Sequence, residues 1–307
     1  MKYTIKSQIS SGSFGTVYEI LGEDNKIYAL KELTNMDTVS KQRFEREAKT
    51  LSELDHPNII KIFYWNVGGD PPKFAPYYIM EYLAGNSLKE YMAEKFDSDD
   101  RYYFDLSWTI NTIILPVCNA LAQVHSSNIY HRDLKPSNIM FTDAKKSTVK
   151  IADWGLVKIA EPFAKDLEDS AAPISAAGTT TTSTTDIDRR SLELTAVLSE
   201  GNIGGTPDYC SPEQWFATVN NNDKLIDGRA DIFSLGIIFY ELITRRRPPP
   251  YDPAKPNMSR KAVEPPSKYN PSISSQLDQC ILKMVDLSPE NRQHSIWDLI
   301  SEIETMQ

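Results

Sequence analysis

Cysteine is scarce in this sequence. Only Cys118, Cys210 and Cys280 occur among 307 residues, and they lie far apart. No two of them have the short spacing of a zinc motif, and they do not form the paired pattern of a disulfide-rich scaffold. The sequence therefore argues against both classes and is typical of a cytosolic protein with reduced thiols.

Basic residues are fewer than acidic ones. The chain has 33 Lys and Arg against 42 Asp and Glu, which gives a formal net charge of −9. Proteins that bind nucleic acids or anionic membranes nonspecifically present a basic surface to the phosphates. This charge balance argues against both kinds of partner, and no nucleic-acid partner is expected.

Long apolar runs are missing as well. No stretch of about 18 consecutive apolar residues occurs, so no membrane-spanning segment is predicted in this chain. The N-terminus lacks the charged and then apolar pattern of a secretory signal. A cytoplasmic location is expected, and 307 residues suffice for one large domain or two lobes with a sizeable core.

The residues with the most evident chemistry lie between positions 131 and 155. Asp133 and Asn138 are five residues apart, and Asp153 follows two short apolar segments. Asn and Asp oxygens suit Mg²⁺, and a carboxylate that holds no metal can accept a proton from an attacking hydroxyl. Phosphoryl transfer needs this positioning and charge neutralisation. Taken alone, the segment can also be interpreted as a polar turn between two strands.

A second candidate pair combines Lys31 with Glu47. Glu47 lies between Phe44 and Leu51 on the apolar face of a predicted helix. A carboxylate on an apolar face needs a partner. Lys31, on the preceding predicted strand, is the candidate, although a lysine in such a segment is usually a surface residue.

Taken in order, these motifs resemble those of the eukaryotic-type (Hanks-type) serine/threonine protein kinase family. The strongest match is HRDLKPSN at residues 131–138, and the resemblance extends over nearly the whole chain. It implies an α+β bilobal fold, with a small antiparallel sheet and one key helix in an N-lobe (1–82). A larger helical C-lobe (83–307) would contain a long and mobile activation segment (153–213).

The resemblance also implies an activity and a set of site residues. The enzyme would transfer the γ-phosphoryl group of ATP, with Mg²⁺, to Ser or Thr hydroxyls of protein substrates and would autophosphorylate its activation segment. The implied catalytic residues are Asp133, Lys135, Lys31 and Glu47. The implied metal ligands are Asn138 and Asp153. The implied ATP-binding residues are Ile9, Ser10, Ser11, Gly12, Ser13, Phe14, Gly15, Val17, Ala29, Lys31, Met80, Glu81, Leu83 and Met140.

The resemblance assigns four further residues to regulation or to the preference for serine and threonine substrates. Arg132 beside the catalytic aspartate suggests control by a phosphate on the activation segment, since arginine pairs bidentately with phosphate. Thr195 and Ser199 are the best candidates to carry that phosphate. Thr206 belongs to the pattern of serine/threonine kinases. The Ser and Thr residues within 160–203 are interpreted either as autophosphorylation targets or as a solvated linker.

Three positions depart from the family pattern. Ser10 replaces a glycine, Trp154 replaces a phenylalanine and Ser211 replaces an alanine. Trp154 is still expected to join a hydrophobic stack with His131, Leu51 and Ile62 that holds the active state.

Three features of the C-terminal half complete the expectations. By resemblance, Asp231 at the start of a central buried helix holds the catalytic-loop backbone, and Arg292 pairs with Glu213. The three arginines at 245–247 are interpreted as a solvated loop, and the alternative is a basic segment that faces the substrate.

Two other functions are considered. One is a pseudokinase-like scaffold that binds partners without turnover, and the other is a small-molecule kinase of related fold. All five groups that the mechanism needs are present, which argues against the first. The motifs GTPDY at 205–209 and SPE at 211–213 build a platform for a peptide substrate, which argues against the second. The oligomeric state and the particular substrate are left open.

Overall fold

The architecture is α+β with two lobes, as the sequence predicts. A five-stranded antiparallel sheet and one long helix form the first lobe, and the second lobe is mainly helical. This computed structural model describes residues 2–12, 15–35, 38–67, 75–99, 103–154, 158–159, 208–215, 226–249 and 263–306. The activation segment (153–213), which is expected to be mobile, lies mostly outside the described residues. The lobe boundary after residue 82 stays a prediction.

The sheet of the first lobe follows the order β1-β2-β3-β5-β4, and all its neighbouring strands are antiparallel. Its strands are β1 Tyr3–Gly12, β2 Gly15–Gly22, β3 Ile27–Glu32, β4 Ile62–Asn66 and β5 Tyr77–Glu81. Alternation along the strands turns Ile20, Leu30 and Ile79 to one face, where they form a small core of their own.

The Gly and Ser residues at 10–15 predict an interruption between two strands, and the structure differs from this prediction. Ser10 and Gly12 belong to β1 and pair with Val17 and Gly15 of β2, so the hairpin stays hydrogen-bonded almost to its tip. Gly15 has a packing reason to be glycine, because an added Cβ would lie 2.5 Å from the carbonyl oxygen of Glu32.

Helix α1 (Thr38–Glu53) packs its apolar face against the sheet, as its periodicity predicts. Phe44, Ala48 and Leu51 are buried, and the ring of Phe44 stacks on that of Tyr78 at 5.1 Å. Glu47 shares this buried face. The helix therefore carries one carboxylate into the interior, next to β3 and β5.

The segment before β4 is only partly a strand. The sequence predicts that the fourth strand starts at Ile59, but β4 begins at Ile62. Ile59 instead forms an isolated parallel bridge with Ile151, and the Ile60 amide donates to the Ile151 carbonyl at 3.0 Å. Ile59 and Ile60 therefore pair with the strand that precedes Asp153. Because their backbone groups pair with Ile151, they do not extend β4.

The described part of the second lobe is mainly helical and has four short strands. The helices are α2 Leu88–Ser98, α3 Leu106–Trp108, α4 Leu115–His125, α5 Arg229–Thr244, α6 Ser275–Met284 and α7 Ile296–Glu304. The strands are β6 Ile129–Tyr130, β7 Ile139–Phe141, β8 Val149–Ile151 and β9 Lys158–Ile159. None of the described helices combines the length and apolar character required to cross a bilayer.

The charged and turn-rich composition of 94–105 predicts a surface insertion, and helix α2 corrects this interpretation. A capping box between Ser87 and Glu90 starts the helix, and no helix breaker interrupts it before Ser98. Phe104, in the same range, is buried. Of the charged residues described in this range, Glu94, Lys95 and Asp97 therefore lie on α2, and Asp99 and Asp105 are the cap residues of α2 and α3.

The apolar periodicity of 106–125 predicts a helix that bends at Pro116, and the segment is helical throughout but changes helix type. A π-helix (Thr109–Ile114) lies between α3 and α4, and Pro116 stands in the first turn of α4. A proline within a continuous α-helix would remove one hydrogen bond and clash with the carbonyl four residues earlier. The expected effect of Pro116 appears here as a π-helical stretch before it.

Helix α5 is the central element of the second lobe, and nearly all its residues are buried. Arg292 packs beside it with its guanidinium 4.7 Å from the ring of Phe233. This arginine is 1% exposed and binds both Glu213 oxygens, at 2.7 and 2.9 Å. The predicted Arg292–Glu213 pair is therefore present and bidentate.

We expect Arg292→Met to lower the free energy of unfolding by about 3–5 kcal/mol, because it leaves the Glu213 carboxylate without its cation in a desolvated place. Urea denaturation measures this loss. The matched control is Lys61→Met, which removes the cation of an exposed pair with Asp55 and should change stability little. A loss in Arg292→Met as small as that of the control would contradict the structural role.

Candidate active site

Asp231 anchors the loop at residues 131–138, which carries the HRDLKPSN motif and is called the catalytic loop below. This carboxylate is fully buried at the start of α5 and accepts the backbone amides of His131 at 2.9 Å and Arg132 at 2.8 Å. His125 Nε2 lies 2.8 Å from it. Burial acts to raise the pKa of Asp231, but these hydrogen bonds and the nearby histidines hold it below its ordinary value. The predicted anchoring role of Asp231 matches this geometry.

Asp231 also explains a strained backbone. Arg132 has φ 63°, in the left-handed region that non-glycine residues seldom adopt. The hydrogen bond to Asp231 and the Gln214 Nε2 donation to the Arg132 carbonyl, at 2.6 Å, hold that conformation from two sides. The backbone conformation of Arg132 thereby sets the direction in which the chain presents the next residue, Asp133.

Three predicted site residues meet in this loop. Lys135 Nζ donates to Asp133 Oδ2 at 2.7 Å, and Asn138 Nδ2 donates to the Asp133 carbonyl at 2.9 Å. The Asn138 carbonyl in turn accepts the amide of Ala152 at 2.8 Å. The loop therefore presents a carboxylate with a cation beside it, and it is tied to the segment that carries Asp153.

Lys31 forms the second cluster. Its Nζ lies 3.1 Å from Glu47 Oε1 and 2.9 Å from Asp153 Oδ1. Burial acts to lower the pKa of Lys31, but the charges of Glu47, Tyr78 and Asp153 raise it well above its usual value. Lys31 likewise holds the pKa of Asp153 below its ordinary range. The lysine is a fixed cation between two carboxylates.

Asp153 and Trp154 link this cluster to the catalytic loop. Asp153 has φ 58°, and Trp154, fully buried beside it, places its ring 4.7 Å from that of His131. Leu51 and Ile62 belong to the same buried core. The ring contact with His131 agrees with that part of the expected stack, and Trp154 is buried in spite of its greater size.

The residues present fit a magnesium ion. Asn138 and Asp153 lie on segments joined by the hydrogen bond from Ala152, and both offer hard oxygen atoms. Asn138 Nδ2 donates to the Asp133 carbonyl, and, among the described residues, Asn138 Oδ1 accepts only a long hydrogen bond of 3.4 Å from Ser137 Oγ, so this oxygen is the atom suited to bind a cation. Two protein ligands suit Mg²⁺, which usually completes its shell with water and substrate phosphates.

Several of the expected nucleotide-binding residues lie on strands that pair next to Lys31. Ala29 is buried and is paired with Met80, while Val17 is paired with Lys31 across β2 and β3. Met80 and Leu83 are partly buried against the core, and Met140 is half-buried on β7. The expected adenine contacts of Glu81 and Leu83 stay predictions.

The β1 side of the site is open. Ile9, Ser10, Ser11 and Gly12 are exposed, and an added Cβ at Gly12 would meet no atom within 4 Å. This open space is where a Gly-rich hairpin would receive phosphate groups. Two predicted members of the hairpin, Ser13 and Phe14, lie outside the described residues.

The sequence interpretation missed Tyr78 and Gln214. The Tyr78 hydroxyl donates to Glu47 Oε1 at 2.8 Å, and Ser211 Oγ donates to Gln214 Oε1 at 3.0 Å. Strand pairing gives a signal for Tyr78, because it stands opposite Lys31 in the register of β3 and β5. Gln214 has no comparable signal, except that Ser211 departs from the family's alanine.

Among the expected regulatory residues, only Arg132 lies in the described part of the chain. Its Nη2 donates to the carbonyl of Ile226 at 3.0 Å. Thr195, Ser199 and Thr206 lie outside the described residues.

The chain combines a two-lobed α+β fold with a lysine–carboxylate cluster whose Asp153 segment is hydrogen-bonded to the loop that carries Asp133. The chain belongs to the protein kinase family, since the family model described as the protein kinase domain matches residues 3–187.

The relatives of the chain include serine/threonine-protein kinases of two bacteria. The chain is 26% identical to a probable serine/threonine-protein kinase of Corynebacterium efficiens, over 99% of this chain and 41% of that protein. It is 30% identical to a serine/threonine-protein kinase of Myxococcus xanthus, over 96% of this chain and 36% of that protein. The chain therefore spans less than half of either relative.

A similar solved structure is the kinase domain of PknI from Mycobacterium tuberculosis. It has a TM-score of 0.64 at 20% identity and covers 99% of this chain and 96% of that one. At this identity the likeness supports the fold alone.

Proposed function

We propose that the chain is a serine/threonine protein kinase that transfers the γ-phosphoryl group of ATP to Ser or Thr hydroxyls of protein substrates. The observation that carries the proposal is one continuous polar site. Lys31 bridges Glu47 and Asp153, and the Asp133–Lys135 pair lies on a loop tied to the Asp153 segment. The names of the bacterial relatives support the same activity.

Each group has a role that its surroundings favour. Bound ATP with Mg²⁺ supplies the phosphoryl group, and Asn138 and Asp153 would hold the metal. Lys31, kept cationic by its neighbours, neutralises phosphate charge. Asp133 orients the substrate hydroxyl and accepts its proton. Lys135, whose Nζ lies 2.7 Å from Asp133 Oδ2, would neutralise negative charge on the transferred phosphoryl group.

The test is transfer from radiolabelled ATP with Mg²⁺, with the wild type and Asp153→Ala compared on a mixture of peptides with serine and threonine acceptors. We expect labelled phosphoserine or phosphothreonine from the wild type alone, and phosphosite mapping identifies the acceptors. A folded wild type that binds ATP but transfers nothing would support the scaffold alternative. Label on a small molecule but on no peptide would support the small-molecule kinase.

We also propose that a phosphate on Thr195 or Ser199 pairs with Arg132 and raises activity. Arg132 is buried directly beside the catalytic aspartate, so an added charge there acts on the loop itself. A phosphate brings nearly two negative charges and can form one to three charge-assisted hydrogen bonds. We expect the double variant Thr195→Ala, Ser199→Ala to lose activation by ATP pre-incubation. The control Thr181→Ala, Thr184→Ala should retain it, and full activation of the first variant would contradict this switch.

A further inference from the structure

The three arginines at 245–247 have three different partners. The sequence predicts a solvated loop, and Arg246 and Arg247 are indeed partly exposed. Arg245, however, donates to the carbonyl of Phe96 at 2.7 Å, at the end of α2, and the Arg246 guanidinium lies 4.6 Å from the ring of Tyr269. The run is therefore ordered by specific contacts, and Arg247 needs its own explanation.

Arg247 points into a cluster of two carboxylates and a phenol. Its Nη1 pairs with Asp208, its Nε lies 3.2 Å from Glu241 Oε1, and its guanidinium lies 5.7 Å from the ring of Tyr209. The Tyr209 hydroxyl donates to Glu241 Oε2 at 2.7 Å. We call these four residues the groove cluster.

The groove cluster lines one side of a surface groove of about 560 Å³. Helix α2 contributes residues such as Met92 on another side, and Lys135 of the catalytic loop also lines the groove. Because Lys135 is hydrogen-bonded to Asp133 at 2.7 Å, the groove opens next to the proposed catalytic carboxylate. A peptide whose acceptor hydroxyl lies at Asp133 would place neighbouring residues in this groove.

The charges of the cluster favour a cation between the two carboxylates. Burial raises the pKa of Glu241, and the Tyr209 hydrogen bond and the charge of Arg247 oppose that shift. Glu241 is 14% exposed on its side chain, whereas Arg247 is 41% exposed. The Arg247 guanidinium therefore lies on the solvent side of Glu241. A substrate side chain would approach the two carboxylates from the same side.

We propose that Arg247 is a specificity-determining residue: its guanidinium occupies the place between Asp208 and Glu241 that an arginine of a substrate would otherwise take. The natural substrates are then Ser/Thr peptides that carry no arginine at the position facing this cluster. The inference rests on the proposed kinase function.

The test compares matched peptides that differ by one arginine against alanine, moved along both sides of a central serine. The readout is the ratio of kcat/KM for the arginine and alanine peptides. We expect Arg247→Ala to raise this ratio roughly tenfold or more at one position, as charge-assisted hydrogen bonds become available. Arg247→Lys should keep the wild-type ratio, and Arg247→Ala combined with Glu241→Gln should lose most of the gain.

Arg246→Ala is the control, because it removes a neighbouring arginine that lies on Tyr269 and not in the groove cluster. Its ratio should equal that of the wild type. If Arg247→Ala does not fold, Arg247→Gln serves, since it retains most of the side-chain length without the charge. A ratio that is unchanged at every position in a folded neutral variant overturns the inference.

Binding separates this inference from the proposed function. The same peptides with alanine in place of the acceptor serine are titrated into wild type and Arg247→Ala, and no turnover is needed. Tighter binding of one arginine peptide by the variant supports the inference even if the wild type transfers no phosphate. Equal binding by both proteins overturns it even if kinase activity is found.

Discussion

Asp133→Asn is expected to lower kcat roughly 10²- to 10⁴-fold, the usual contribution of a positioned general base. The asparagine side chain retains the size of the carboxylate but cannot accept the hydroxyl proton. Asp133 contacts Lys135 and the catalytic loop and is not among the proposed metal ligands, so the affinity for ATP with Mg²⁺ should be nearly unchanged. Steady-state kinetics and isothermal titration measure the two effects separately.

Asp153→Asn is the matched control for this division of roles. It also replaces a carboxylate by an amide, but at the proposed metal site and 2.9 Å from Lys31. We expect it to weaken Mg²⁺-dependent ATP binding itself. Equal losses of ATP affinity in both variants would mean that Asp133 and Asp153 do not divide base and metal functions in this way.

Much of the fold could be predicted because its patterns are local or carried by family motifs. The periodicity that places Phe44, Ala48 and Leu51 on one face of α1 also turns Glu47 inward, and the structure has all four buried. Asp231 and the catalytic loop are about 100 residues apart in sequence. No local pattern joins them, and only the family motif made that pairing predictable.

The errors occurred where backbone pairing competes with composition. Gly and Ser suggested a loop at Ser10–Gly12, but pairing with β2 keeps this segment in a strand. Three isoleucines suggested a strand at Ile59, but the segment bonds to Ile151 in the other lobe. Composition indicates which secondary structures a segment can adopt, whereas the tertiary fold determines which strand it pairs with.

Side-chain networks were the least predictable part of the site. Gln214 reaches the Arg132 carbonyl, and Arg247 reaches Asp208 and Glu241, over distances in sequence that no spacing rule covers. The same holds for the three adjacent arginines, whose partners differ although their residue type does not. Such networks depend on the direction of each side chain and therefore on the completed fold.

Lys31→Met is expected to lower kcat/KM by at least about 100-fold, because it removes the cation that neutralises phosphate charge. It should also reduce stability, since Glu47 is 3% exposed and, among the described residues, would keep the hydroxyl of Tyr78, at 2.8 Å, in place of the lost cation. Leaving one partner of a buried ion pair costs about 3–5 kcal/mol. The single variant therefore changes catalysis and folding together.

The double variant Lys31→Met, Glu47→Gln separates these two effects. Glutamine can still accept the Tyr78 hydrogen bond and leaves no unpaired charge in the interior, so most of the lost stability should return. Activity should not return, because the cation that faces the phosphates is still missing. Thermal unfolding and kcat/KM are measured on the same samples. A double variant with kcat/KM within about tenfold of wild type would show that Lys31 stabilises the lobe and does not act on ATP. A double variant that stays as unstable as Lys31→Met would show that the unpaired Glu47 charge is not the cause of the instability.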